Sequence, residues 1–342
     1  MRRWLTVAIL LGLVVVAGSA IWWMFLTSFG ERQWQDLQQR LQADGYTFQY
    51  SELETSGYPL ELVWTLHGVT LSHPGADGGP LPFRGEAERL RVTAKPWAPQ
   101  RMAYRVESQH RWAVETGGAA GVVDVAVGSA AGTFGPQADD SGWRLETRLA
   151  GITARPRDGI AEPLRIAAAA VVLEAPLRMQ RIAVDARLDR IGLPQDFGLG
   201  RTVELLSVQG EMDPWLRSGA AAAVQAWQGA GGRIAVRQAQ LRFGAMDGNA
   251  TGTVGLDPEL RPQGDLTLTV REPNKLLALA AERGWIADGQ GQWLAMGAGL
   301  LGRRNNGGTV ETQLPLSFRE GAVWLGPVRL ADLPPVSTPS PP

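Results

Sequence analysis

Residues Ile182–Leu188, IAVDARL, place Ile182, Val184, Ala186 and Leu188 on one side of an extended chain and Ala183, Asp185 and Arg187 on the other. Side chains in a strand alternate with period two, so this stretch reads as a half-buried strand with one apolar face and one wet face. The same pattern recurs on both sides of it. Trp143, Leu145, Thr147 and Leu149 precede it, as do Val123, Val125 and Val127, the pair Trp112 and Val114, and Leu90, Val92 and Ala94. Further back, Leu60, Leu62, Trp64 and Leu66 alternate until Gly68 interrupts, and Val69-Thr70-Leu71 resumes. Beyond it come Ile234, Val236, Gln238 and Gln240, then Val254 and Leu256, then Leu266, Leu268 and Val270. Gly, Pro and Asp turns separate the runs, and no βαβ alternation appears, so the pattern predicts antiparallel pairing. The fold class expected is mainly β (α+β): a large, curved, mostly antiparallel sheet with a few packing helices.

Three segments break the strand period. Glu31–Ala43 carries Trp34, Leu37 and Leu41 at helical spacing and ends at Asp44-Gly45. Pro214–Trp227 follows Asp213, a good N-cap, with Pro at the first helical position. Asn274–Arg283 lies between Pro273 and Gly284 and has a wide apolar stripe. A fourth apolar segment, Trp293–Leu301, carries Gly297 and Gly299 and is a weaker helix signal. Two or three helices are too few to cover a dozen or so strands. Apolar sheet area is therefore left for a second sheet, a partner or lipid to bury.

At the N-terminus, Leu5–Leu26 reads LTVAILLGLVVVAGSAIWWMFL without a charge, after Arg2 and Arg3. An uncharged run of this length spans a hydrocarbon core of about 30 Å as a helix. The arginines mark the cytoplasmic side, which sends the rest of the chain across the membrane. A cleaved signal peptide also fits the small residues Ala17–Ala20. The run continues past them through Trp22 and Trp23 to Leu26, which favours a retained anchor. The expected layout is a cytoplasmic stub at 1–4, an anchor at 5–26, an amphipathic helix at 27–45 and an exported β-rich domain at 46–330. That domain is divisible into modules at about 46–200 and 201–330. A Pro/Ser-rich tail at 331–342 is expected to be extended or disordered.

Composition narrows the chemistry. Net charge is −1 and pI about 6.4, so no basic field favours nucleic acid. Absence of cysteine excludes disulfides, thiol catalysis and Cys-bound metals. The histidines, His67, His73 and His110, lack metal-binding spacing. No G-x-S-x-G elbow, P-loop or G-x-G-x-x-G occurs. The expectation is a non-enzymatic protein without a cofactor. The 13 tryptophans fit either a filled sheet core or an apolar groove for acyl chains. In the groove reading the candidate lining residues are Trp64, Leu66, Trp112, Trp143 and Leu145.

The turn Gly57-Tyr58-Pro59 leading into LELVWTLHGVTL, the Ala94–Trp97 AKPW and the ending FREGAVWLGPVRLADLPP at Phe318–Pro335 resemble the family of exported proteins named domain of unknown function 2125. GGRIAVRQAQLRFG, GNATGTVGLDPELRPQGDLTLTV and the Leu276-Leu277 step are similar to sheet modules of the AsmA-like superfamily. These resemblances imply a single-pass protein of the bacterial inner membrane, its bulk in the periplasm, with roles in cell-envelope lipid handling or outer-membrane biogenesis. The partners implied are the phospholipid bilayer, a lipid ligand or other envelope proteins. A structural module that docks other envelope proteins is the alternative. No catalytic residue is carried over.

Overall fold

The computed structural model describes residues 34–43, 45–75, 82–115, 121–139, 141–159, 162–176, 181–196, 199–214, 221–271, 302–304, 310–326 and 328–336. The expected helices at 274–283 and 293–301 and the run Leu5–Leu26 lie outside them. Among the described residues no helix is long and apolar enough to cross a membrane.

Helix α1 (34–43) precedes short strands β1 (Thr47–Gln49) and β2 (Glu52–Ser56), which share one side of β3 (Leu62–His73). Strand β4 (Phe83–Lys95) follows on the other side. Next, β5 (Ala98–Val106) and β6 (His110–Glu115) act as one interrupted strand between β4 and β7 (Val122–Pro136). The ladder continues through β8 (Gly142–Pro156), β9 (Leu164–Pro176), β10 (Ile182–Gly192) and β11 (Thr202–Asp213). Helix α2 (Ala221–Gly229) leads to β12 (Arg233–Phe243), β13 (Met246–Leu256) and β14 (Pro262–Arg271). Strand β16 (Val310–Arg319) pairs with β14 on one side. On its other side lie β15 (Gly302–Arg304) and β17 (Ala322–Leu325), and β18 (Val328–Asp332) closes the order. Among the described residues every pairing is antiparallel and the strands form one sheet of 18.

Hairpin topology gives the sheet two ends. End I carries the turns after β2, β4, β7, β11, β13 and β16; end II carries those after β3, β6, β8, β10 and β12. The ladder crosses the expected module boundary near 200 without a break, since Ile191 pairs with Val203 and Leu193 N–H donates to Arg201 C=O. Helix α2 matches the C-terminal part of the segment expected from Pro214 to Trp227; residues 215–220 are outside the description. Strand β18 reaches Asp332, and Val336 N–H donates to Leu260 C=O, so the Pro-rich stretch begins inside the ladder.

Strict alternation does not run the length of any strand from β7 to β11, nor of β3 and β4. The cross-strand register omits Gly68 and Glu88 between β3 and β4. It omits Gly128 and Gly151 between β7 and β8, and Ala167 between β8 and β9. It omits Arg190 and Glu204 between β10 and β11. These unpaired residues form one line across the sheet. The register is the same on both sides of each gap, so these are paired interruptions of both strands and not one-sided bulges, and the apolar positions change parity across them, from Leu66 to Val69 and from Val127 to Ala130. Three of them, Gly68, Gly151 and Arg190, take positive φ, which glycine adopts without a Cβ penalty. A bulge at Arg237-Gln238 corrects the reading of β12. Ile234 and Val236 share one face, but Gln238 and Gln240 fall on the other, and Ala239 and Leu241 restore the apolar side. Leu60 lies outside β3, in the preceding turn, and is exposed.

Candidate functional site

Registers carry each residue's face from strand to strand, and because both strands change parity together at each interruption the assignment stays consistent. Leu66 pairs with Leu90, which pairs with Val106; Val106 pairs with Ala130, Ala130 with Leu149 and Leu149 with Ala169. From Ala169 the row passes to Leu188, Leu206, Leu241 and Gly248. Two residues along the same face, Ala250 pairs with Leu268 and Leu268 with Leu314. One face is thus apolar from β3 to β16, about 50 Å at roughly 4.8 Å per strand step.

The opposite face is charged. Glu107 lies between Arg89 and Arg91, Glu211 bridges Arg181 and Arg237, and Arg271 bridges Asp247 and Glu311. Arg144 pairs with Glu174 and Arg148 with Glu146. Hydrogen bonds from Arg181 and Arg237 hold the Glu211 carboxyl below its ordinary range. Arg157 does the same for Asp124. Partly exposed pairs of this kind contribute about 0–1 kcal/mol each. Their main effect is to commit this face to water, and with it the other face to an apolar neighbour.

The apolar face is sealed at its N-terminal corner. Leu62, Trp64, Leu66, Val69 and Val92 form a buried cluster with Phe48, closed by Trp34 and Leu41 of α1. The Trp34 ring stacks on Phe48 at 6.3 Å and meets Trp64 edge-on at 6.5 Å. A second cluster forms near end II, where Ile191, Val203 and Phe243 pack with Leu193 and Leu199 of the β10–β11 loop. Between these clusters Leu145, Leu149, Val171, Leu173, Val184 and Val208 are only half-buried.

The expected lining residues all fall on this apolar face, but in different settings. Trp64 and Leu66 are core residues beneath α1 and do not border open surface. Trp112 lies across Gly85, where a Cβ would sit 2.3 Å from the indole. Trp143 stacks on Phe134 at 5.0 Å, and Leu145 sits between Phe134 and Leu173 in the ladder. Phe134 and Leu173 were not singled out from the sequence. They pair directly with Leu145, a partnership of residues far apart in the chain.

One polar pair interrupts the apolar face. Tyr104, Gly132 and Thr147 are successive partners across β5, β7 and β8. The Tyr104 ring crosses Gly132, and its hydroxyl is 2.6 Å from Thr147 Oγ1. A Cβ at Gly132 would stand 2.0 Å from the Glu146 carbonyl oxygen and 2.8 Å from the tyrosine ring. Among the described residues no group of three or more His, Asp and Glu could hold a metal. His73 and His110 are buried beside aromatic rings: His73 by Tyr46 and Phe83, His110 by Trp112. Burial lowers the His110 pKa, opposed by a backbone hydrogen bond at Ser108.

The fold and surface define a class of protein: a single antiparallel sheet with one charged face and one apolar face, of which only part is covered by the described residues. The chain belongs to the family domain of unknown function 2125, described as an uncharacterized protein conserved in bacteria, whose model matches residues 23–334. No curated protein and no solved structure matches the chain.

Proposed function

We propose that this protein is a non-enzymatic, membrane-anchored protein of the bacterial envelope that holds lipid acyl chains on the apolar face of its sheet. The observation that carries the reading is the half-buried apolar field from β7 to β14, continuous across the ladder and opposed by an ion-paired face. Folding that leaves such a field exposed to water forgoes about 25 cal/mol for each Å² not covered. Acyl chains fit it because they need no directional partners and can follow a surface of branched side chains. The Leu5–Leu26 run supports an anchor that keeps the sheet beside a bilayer, and the AsmA-like sheet resemblance points the same way. The exposed edge at β2 carries Glu52 and Glu54, acids that discourage strand addition by a protein partner.

Alternation supplies the test. A photo-crosslinking amino acid at Leu173, on the apolar face, is expected to give phospholipid adducts in cells. The same group at neighbouring Val172, on the charged face, is expected to give none. Equal lipid labelling at both positions, or protein adducts alone at 173, would overturn the assignment.

A further inference from the structure

We propose that the corner of end I nearest α1 is a docking surface for the bilayer that carries the chain. The direction of α1 sets the geometry. Its C-terminal end lies at end II, where a Cβ at Gly45 would be 3.1 Å from His73 Nε2 and the Tyr46 ring is 4.9 Å from the His73 ring. Its first described residue, Trp34, lies on Trp64, close to the start of β3. The N-terminal end of α1 therefore faces end I. Trp34 is only eight positions beyond Leu26, a reach of at most about 27 Å even if fully extended.

The turns at that corner have the side chains a lipid surface selects. Trp97 is 70 % exposed, Leu60 66 % and Tyr58 46 %, with Phe134 at the nearby end of β7. These are four of the six large hydrophobic residues exposed among the described residues, so the exposure is concentrated at one place. Indole and phenol rings favour the headgroup zone, where an apolar body and a polar tip are both satisfied. Cations accompany them. Lys95 Nζ lies 5.9 Å from the Trp97 ring centroid and 2.7 Å from Glu61 Oε1. Arg101 has no ion pair among the described residues. With Lys95, Met102 and Phe134 it lines a cleft of about 340 Å³, open to the corner. The occupant that fits both parts is a phospholipid surface with anionic headgroups. Turns farther along end I carry Glu259 and Glu320, acids that such a surface repels, while at the corner the cleft-lining Glu61 is paired with Lys95 and Asp139 follows the cleft-lining Ala138. This confines docking to the corner beside α1.

The proposal rests on the anchor reading, and one preparation separates the two. The chain has no cysteine, so Leu60→Cys, Trp97→Cys and Ala245→Cys each give a single labelling site. Residue 245 lies in the β12–β13 turn at end II. The full chain is placed in vesicles of phosphatidylcholine and phosphatidylglycerol, with an environment-sensitive fluorophore on the cysteine. Labels at 60 and 97 are expected to shift to the blue and to be quenched by doxyl lipid; the label at 245 is expected to do neither. Leu60→Cys alters only a turn side chain and keeps the test valid if Trp97→Cys folds poorly. Retention after alkaline carbonate with labels at 60 and 97 like that at 245 overturns docking alone. Release by carbonate overturns the anchor and docking together.

Discussion

Two stretches of the same apolar face behave differently. Under α1, Leu62, Trp64 and Leu66 are closed off from solvent, while across β8 to β11 Leu149, Leu173, Val184 and Val208 stay half-buried. Their sequences are of one kind: apolar side chains at period two, opposed by charge. The difference comes from what lies above the sheet. A strand's own pattern selects a face, but only a covering element removes that face from water, and that removal supplies the stabilisation.

Truncations measure the contrast most strongly. Leu66→Ala removes a side chain with 0 % exposure and is expected to cost about 3 kcal/mol or more. Leu173→Ala, half-buried, is expected to cost about 1 kcal/mol. Urea midpoints of the two variants check this, and equal losses would mean that both regions are sealed. Gly132→Ala tests whether the open region is nonetheless closely packed within the sheet. The close approach of Glu146 and Tyr104 predicts a loss of about 2 kcal/mol, with the Tyr104–Thr147 bond disrupted. Wild-type stability in that variant would show that β7 can shift freely.

The smallest expected effect is that of His110. Its folded pKa lies below the ordinary 6.5, so the unfolded chain takes up the proton first. The stability due to neutral His110 is complete above about pH 6.5 and declines as the pH falls below it. The urea midpoint is expected to drop between about pH 7.5 and 5.5, and to drop less in His110→Gln. Identical slopes would assign the effect to other groups.

Much of the architecture was legible as period-two runs. Ile182–Leu188, Trp143–Leu149 and Val123–Val127 each lie within a strand with the expected faces. The reading failed where an extra residue reset the alternation. Gln238 and Gln240 continue the spacing of Ile234 and Val236, yet the Arg237-Gln238 bulge turns them to the charged face. A bulge leaves almost no compositional mark, because what defines it is the register of the neighbouring strand. The candidate surface was legible as a residue type and not as a place. Trp64 and Leu66 read like Trp143 and Leu145, and nothing local to either pair says which of them a helix will cover.

The sequence by itself determined which side of most strand segments is apolar, that the strands pair as hairpins, and that an uncharged run heads the chain. Side-chain period and hydrophobicity are properties of neighbouring residues, so neighbours suffice to reveal them. Only the tertiary structure decided that the segments join into one face continuous from β3 to β16. It also decided that α1 seals one corner of that face, and that Leu60 and Trp97 stand together at one end. Register, cover and the meeting of distant turns are relations between residues far apart in the chain, settled by the backbone hydrogen bonds and packing that form when the ladder closes.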